Sequence, residues 1–244
     1  MHNSQSIHPG KISWAGNAAK READITLYRA MAYDLLKQAS LGRPLRILSF
    51  PAQTWAWELG LKDFYASTPM EFIGLERDPT LHRKAKRFAA GFPKAFKMTD
   101  KPVSFREFSQ TSRMRRPCDL VYLDWMGTWS SEKKEDLSAL FQRGLLAVGG
   151  LLVMTVSLRR GQPETLDELA DLSYDLPLAF YDARGEDKYT GNIKVRGIPH
   201  WVANHAMNNH EVKMRPLLAS VYYSRTGVSE QTQPQLQIMM LREA

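Results

Sequence analysis

An alternation of short apolar runs with helical segments restricts this chain more than any other feature. It extends from residue 45 to residue 157. Leu45 to Phe50 (LRILSF) and Glu71 to Glu76 (EFIGLE) are the first two apolar runs. Val103 to Phe108 reads as a third and weaker one, Asp119 to Trp125 (DLVYLDW) as a fourth, and Leu151 to Ser157 as a fifth. Between them lie stretches of helical period. Thr54 to Leu61 begins one, with Thr54 as candidate N-cap. Asp78-Pro79 opens the next, because Asp caps and Pro fits the first helical position. Leu81, Ala85, Phe88 and Ala89 then form its apolar stripe. Ser130 or Ser131 caps a helix whose inner face is Leu137, Leu140, Phe141 and Leu145. The apolar runs lack polar alternation, as expected of strands covered on both faces. Strand, helix, strand at this rhythm predicts βαβ units, right-handed crossovers and a parallel sheet.

The flanks differ. Ala18 to Ser40 reads as a helix with Ala23, Leu27, Tyr28, Met31, Leu35 and Leu36 on one face, stopped by Gly42-Arg43-Pro44. Residues 158–213 break the rhythm with Pro163, Gly185, Gly191, Gly197 and Pro199 and read as an inserted cap-like segment. Pro216 to Thr226 and Gln235 to Arg242 are strands separated by a polar turn too short for a helical crossover, so they pair antiparallel. A single domain over residues 1–244 is expected, with 1–44 as an N-terminal helical extension.

Hydrophobic residues at 43% and charged residues at 24% are those of an ordinary globular chain, which excludes rods, fibres and bulk disorder. One cysteine, Cys118, excludes an internal disulfide framework and a cysteine zinc cage. The most apolar stretch, Gly144 to Leu158, is shorter than the roughly 18 residues of a membrane span, and the first 25 residues hold no signal-peptide core. No membrane association and a cytoplasmic location are expected. His200, His205 and His210 are spaced so that a helix would rotate each by about 140° from the last, and no metal site is expected. The net charge of +7 is uneven: residues 77–116 hold twelve Lys and Arg against Asp78, Asp100 and Glu107. Such a segment attracts polyanions, nucleic acid above all, or is a solvated face that keeps the chain soluble.

Five βα units followed by an antiparallel hairpin resemble the class I S-adenosylmethionine-dependent methyltransferases over about residues 45–244. The resemblance implies an α/β, Rossmann-like fold: a seven-stranded, mostly parallel sheet with helices on both faces. It also implies S-adenosyl-L-methionine as cofactor, held at the carboxyl ends of the strands. Glu76, after the second run, then stands where the family holds the ribose hydroxyls. Glu107 and Phe108, after the third, stand where it meets the adenine; an exposed Glu beside a core Phe is the other reading. Asp124-Trp125-Met126-Gly127-Thr128-Trp129 resembles the Asp-Pro-Pro-aromatic motif of amino-group methyltransferases, without its prolines. By that likeness Asp124 orients the acceptor amine and Trp125 or Trp129 stacks on it, as for a flipped base.

The chain departs from the family after the first run. An acid and a glycine-rich turn are expected; Ser49, Phe50, Pro51 and Ala52 stand there, with no glycine before Gly60. These four residues then line the methionine side, and Glu58 is a candidate for the missing acid. The resulting expectation is methyl transfer to nucleic acid, with an adenine amine as candidate acceptor. A non-catalytic nucleic-acid-binding protein on a degenerate fold, and a methyltransferase of small molecules or proteins, stay open beside it.

Overall fold

The computed structural model describes residues 18–51, 54–112, 114, 116–125, 127–159, 163–170, 179–182, 192–225 and 232–244. In chain order the elements are α1 (Ala18–Ala39), β1 (Leu45–Ser49), α2 (Ala56–Phe64), β2 (Met70–Gly74), α3 (Pro79–Ala90) and β3 (Phe96–Met98). There follow α4 (Phe105–Thr111), β4 (Cys118–Asp124), α5 (Ser131–Gln142), β5 (Leu146–Ser157), α6 (Pro163–Ala170) and β6 (Ala179–Asp182). The chain ends with α7 (Ile193–His210), β7 (Met214–Arg225) and β8 (Thr232–Arg242).

The strands form one sheet in the order β3-β2-β1-β4-β5-β8-β7-β6. β8 runs antiparallel to both β5 and β7, and the other pairings are parallel. The expected mostly parallel sheet with its terminal hairpin is therefore present. β6 adds an eighth strand, parallel to β7, from within residues 158–213.

Alternate side chains of β4 feed two cores, as the pleat requires. Val121 and Leu123 join Phe105 of α4, Leu137 and Leu140 of α5 and Ile198 of α7 on one face. Leu120 and Tyr122 join Leu27 and Met31 of α1, Leu61 of α2 and Ala85 of α3 on the other. Helices on both faces explain why the sequence shows apolar runs rather than alternation.

Local caps decide several boundaries. The Asp78 side chain accepts hydrogen bonds from the Thr80 and Leu81 amides, as the sequence predicts. Thr54 is not the cap of α2: that position belongs to Trp55, with no side-chain bond. Val103 to Phe108 is not a strand either. Ser104 and Glu107 form a reciprocal capping box that opens α4, and the strand in this unit is the three-residue β3, pairing Phe96 with Phe72. Three residues are too few to show a period.

Candidate functional site

The carboxyl ends of β1, β2 and β4 open into a cavity of about 540 Å³. Phe50 follows β1, Leu75, Glu76 and Arg77 follow β2, and Asp124 ends β4 with Trp125 behind it; all of them line the cavity. Val103 to Arg106 and the first two turns of α5 (Glu132, Lys133, Asp136) complete the wall. Of the candidate site residues, the fold thus brings together Phe50, Glu76, Asp124 and Trp125.

The others lie elsewhere. Ser49 is fully buried and Pro51 is buried, both outside the lining. Ala52 is outside the described residues. The Glu107 carboxylate accepts from the amide and hydroxyl of Ser104 at 2.9 Å in the capping box, and Phe108 packs on the core. Once residues 105–111 are helical, the residues facing the cavity in this unit are Val103, Ser104, Phe105 and Arg106. Trp129 is buried edge-to-face against Trp201, with ring centroids 5.4 Å apart, and belongs to the core.

The glycine-free first loop has a structural answer. A Cβ on Gly74 of β2 would lie 2.5 Å from the Trp55 ring, 2.6 Å from the Met98 sulfur and 2.7 Å from the Pro51 ring. The close approach that the loop cannot make with its own glycine is made with one on the neighbouring strand. Trp55 takes the left-handed conformation (φ 51°, ψ 36°), which costs a non-glycine residue about 1–2 kcal/mol. Complete burial and a 3.0 Å bond from its indole N–H to the Ala85 carbonyl offset that cost. Trp55 therefore fills the space between the sheet and α3, away from the cavity lining.

Each lining carboxylate has a different partner. Oε1 of Glu76 accepts from the Asp78 amide at 2.8 Å, and its other oxygen has no hydrogen bond among the described residues. Oδ2 of Asp124 accepts from the Lys20 ammonium at 3.2 Å. Oδ2 of Asp136 accepts from the Trp125 indole at 3.1 Å, which fixes that ring; burial still pushes the Asp136 carboxyl up to about 6. At the rim, Arg77 pairs with Glu132 and Arg106 with Glu135, exposed contacts that contribute little stability.

Behind Asp124 runs a buried polar seam, of which the sequence singles out Glu58, outside the cavity lining, but neither Asp24 nor Lys20. Asp24 of α1 is fully buried, accepts from Gln237 at 3.1 Å, and is pushed up to about 7 by burial. Glu58 of α2 is buried, and burial pushes it up to about 7. Lys20 is raised by the Asp124 charge. A signal existed: Lys20 and Asp24 fall on the α1 stripe that continues through Leu27, Tyr28 and Met31, so two charges occupy positions whose period marks them as inward-facing.

No protein-family model matches the chain, and no curated protein matches it in sequence. Solved structures do. The SAM-dependent methyltransferase from Agrobacterium tumefaciens is 13% identical, with a TM-score of 0.50 over 88% of this chain and 61% of that one. The fold is that of the class I S-adenosylmethionine-dependent methyltransferases. Precorrin-6y C5,15-methyltransferase from Geobacter metallireducens is also similar, at 11% identity and a TM-score of 0.42, over 82% of this chain and 81% of that one. At these identities the likeness is one of fold. This methyltransferase fold places ligands outside the carboxyl ends of its parallel strands, where the cavity lies. Among the described residues no helix is long and apolar enough to cross a membrane, and no cluster of three metal-ligating side chains occurs.

Proposed function

We propose that this protein is an S-adenosylmethionine-dependent methyltransferase acting on nucleic acid, with an exocyclic amine such as that of adenine as acceptor. One observation carries the reading: Phe50, Glu76, Asp124 and Trp125, from three strand ends, meet around one cavity of cofactor size. The donor set fits. Glu76 keeps a carboxylate oxygen for a ribose hydroxyl, and Val103 and Phe105 supply apolar surface for an adenine. When bound, the cofactor supplies an already activated methyl group, so the protein's contribution is proximity and orientation.

Asp124 would accept a hydrogen bond from the acceptor amine and turn its lone pair toward the reacting carbon. Trp125, held by Asp136, would present its ring to the base. Phe50 and Glu76 would hold the cofactor, which would supply the methyl group and leave as the neutral thioether, while the amine would release a proton. The nucleic-acid assignment is supported by exposed Arg83, Lys84, Lys86 and Arg87 on α3 and by Arg77 and Arg106 at the cavity rim.

A non-catalytic binding protein is the second reading, and the Lys20 ammonium on Asp124 is the observation that favours it. Calorimetric titration with S-adenosylhomocysteine separates the two. Micromolar binding, weakened at least tenfold by Glu76→Gln, supports the enzyme; no heat removes it. Gel shifts with random DNA and RNA at low and high salt test the acceptor class, and no shift at low salt would transfer the reading to a small-molecule or protein acceptor.

A further inference from the structure

Lys133 occupies a place where a lysine is unfavourable. It lies in the first turn of α5, at the positive end of the helix dipole, and is only 6% exposed in the cavity wall. Among the described residues it has neither a hydrogen bond nor a carboxylate at ion-pair distance. The acids around it are engaged: Glu132 with Arg77, Glu135 with Arg106, Asp136 with the Trp125 indole. A second buried lysine stands close by. Lys194, in the first turn of α7 and 3% exposed, donates to the Ser157 and Arg159 carbonyls rather than to a carboxylate. Burial lowers Lys133, and burial together with the charge of Lys133 brings Lys194 down to about 8. The N-cap of α5 adds to the demand for negative charge, because the Ser130 side chain makes no capping bond to the first amides.

We propose that Lys133, with the uncapped N-terminus of α5 and the nearby charge of Lys194, forms an oxyanion seat in the cavity that takes a phosphate group of the acceptor. Glu132 and Asp136 favour the Lys133 charge only from beyond ion-pair distance, and burial outweighs them; a bound anion is what turns the arrangement favourable. A phosphate suits it better than a carboxylate: its oxygens point in tetrahedral directions and can meet an ammonium and helix amides together. The seat itself stands on the residues named. Only its attribution to the acceptor rests on the methyl-transfer reading.

Thermal unfolding at pH 7, in sodium phosphate or in sodium chloride of equal ionic strength, tests the seat. Phosphate is expected to raise the midpoint of the wild type in a saturable way. Lys133→Met is expected to unfold at a higher temperature than wild type in chloride, and to bind phosphate at least tenfold more weakly. A phosphate increment that survives Lys133→Met, or none in wild type, overturns the seat; an equal increment from acetate overturns the phosphate assignment. Should Lys133→Met not fold, amine labelling of the wild type with mass-spectrometric readout serves instead. Phosphate must then protect Lys133 but not the exposed Lys84, and absence of protection overturns the seat. Phosphate binding without S-adenosylhomocysteine binding removes the methyl-transfer reading and leaves the seat; the reverse removes the seat alone.

Discussion

The Lys20 ammonium stands 3.2 Å from the Asp124 carboxylate, across 104 residues of sequence. It fastens the start of α1 to the end of β4, at the edge of the cavity that Asp124 lines. Both side chains are about one quarter to one third exposed, at 30% and 26%, so the pair is screened but not free in water.

Breaking that pair should separate structure from activity. Lys20→Met and Asp124→Ala are each expected to cost about 1 kcal/mol in urea unfolding, and Lys20→Met/Asp124→Ala less than the two single losses added. Asp124→Ala and the double variant should both lose methyl transfer to nucleic acid, followed with labelled cofactor, while S-adenosylhomocysteine binding stays within a few-fold. Transfer retained by Asp124→Ala would remove its proposed role.

The buried acids set a pH dependence of stability. Asp24 and Glu58 are both raised to about 7 by burial, well above their unfolded values. The native chain therefore binds their protons more tightly than the unfolded chain does. The stability they contribute is complete below about pH 4 and is lost as pH rises through 7. Asp24→Asn, which keeps an acceptor for Gln237, should flatten the unfolding midpoint between pH 4 and 7. At pH 8 it should gain about 2 kcal/mol over wild type, and an unchanged slope would contradict the assignment.

Gly74→Ala tests the borrowed glycine. Its methyl group would meet Trp55, Met98 and Pro51 at 2.5–2.7 Å. A loss of about 1–3 kcal/mol is expected from overpacking, with weaker S-adenosylhomocysteine binding as the first loop shifts toward the cavity. Calorimetry on the variant reads both effects.

Asp119 gathers the amino-terminal edge of the sheet. It is fully buried and accepts from both Arg43 guanidinium nitrogens and from the Arg46 amide, each at 2.8 Å. Asp119→Ala should cost about 3–5 kcal/mol, because it leaves a backbone amide and a guanidinium without their acceptor. Asp119→Asn should cost less, and the difference in urea midpoint measures the charge-assisted part.

Much of this was legible because it is local. The Asp78-Pro79 cap, the apolar run ending in Asp124 and the hairpin that pairs Ser220 with Gln237 are each written in a few adjacent residues. The capping box at Ser104 and Glu107 was equally local, yet the apolar Val103, Phe105 and Phe108 around it imitate a short strand.

The amino-acid order alone determined the class of sheet, the direction of its last two strands and the position of Glu76 and Asp124 at strand ends, since periodicity and turn chemistry act between near neighbours. Only the tertiary structure decided that Lys20 meets Asp124, that Gly74 receives Trp55, and that Lys133 lies buried in the cavity wall. Those relations depend on which helix face settles over which strand end. That choice is made by the packing of two cores against one sheet, and no single segment carries it.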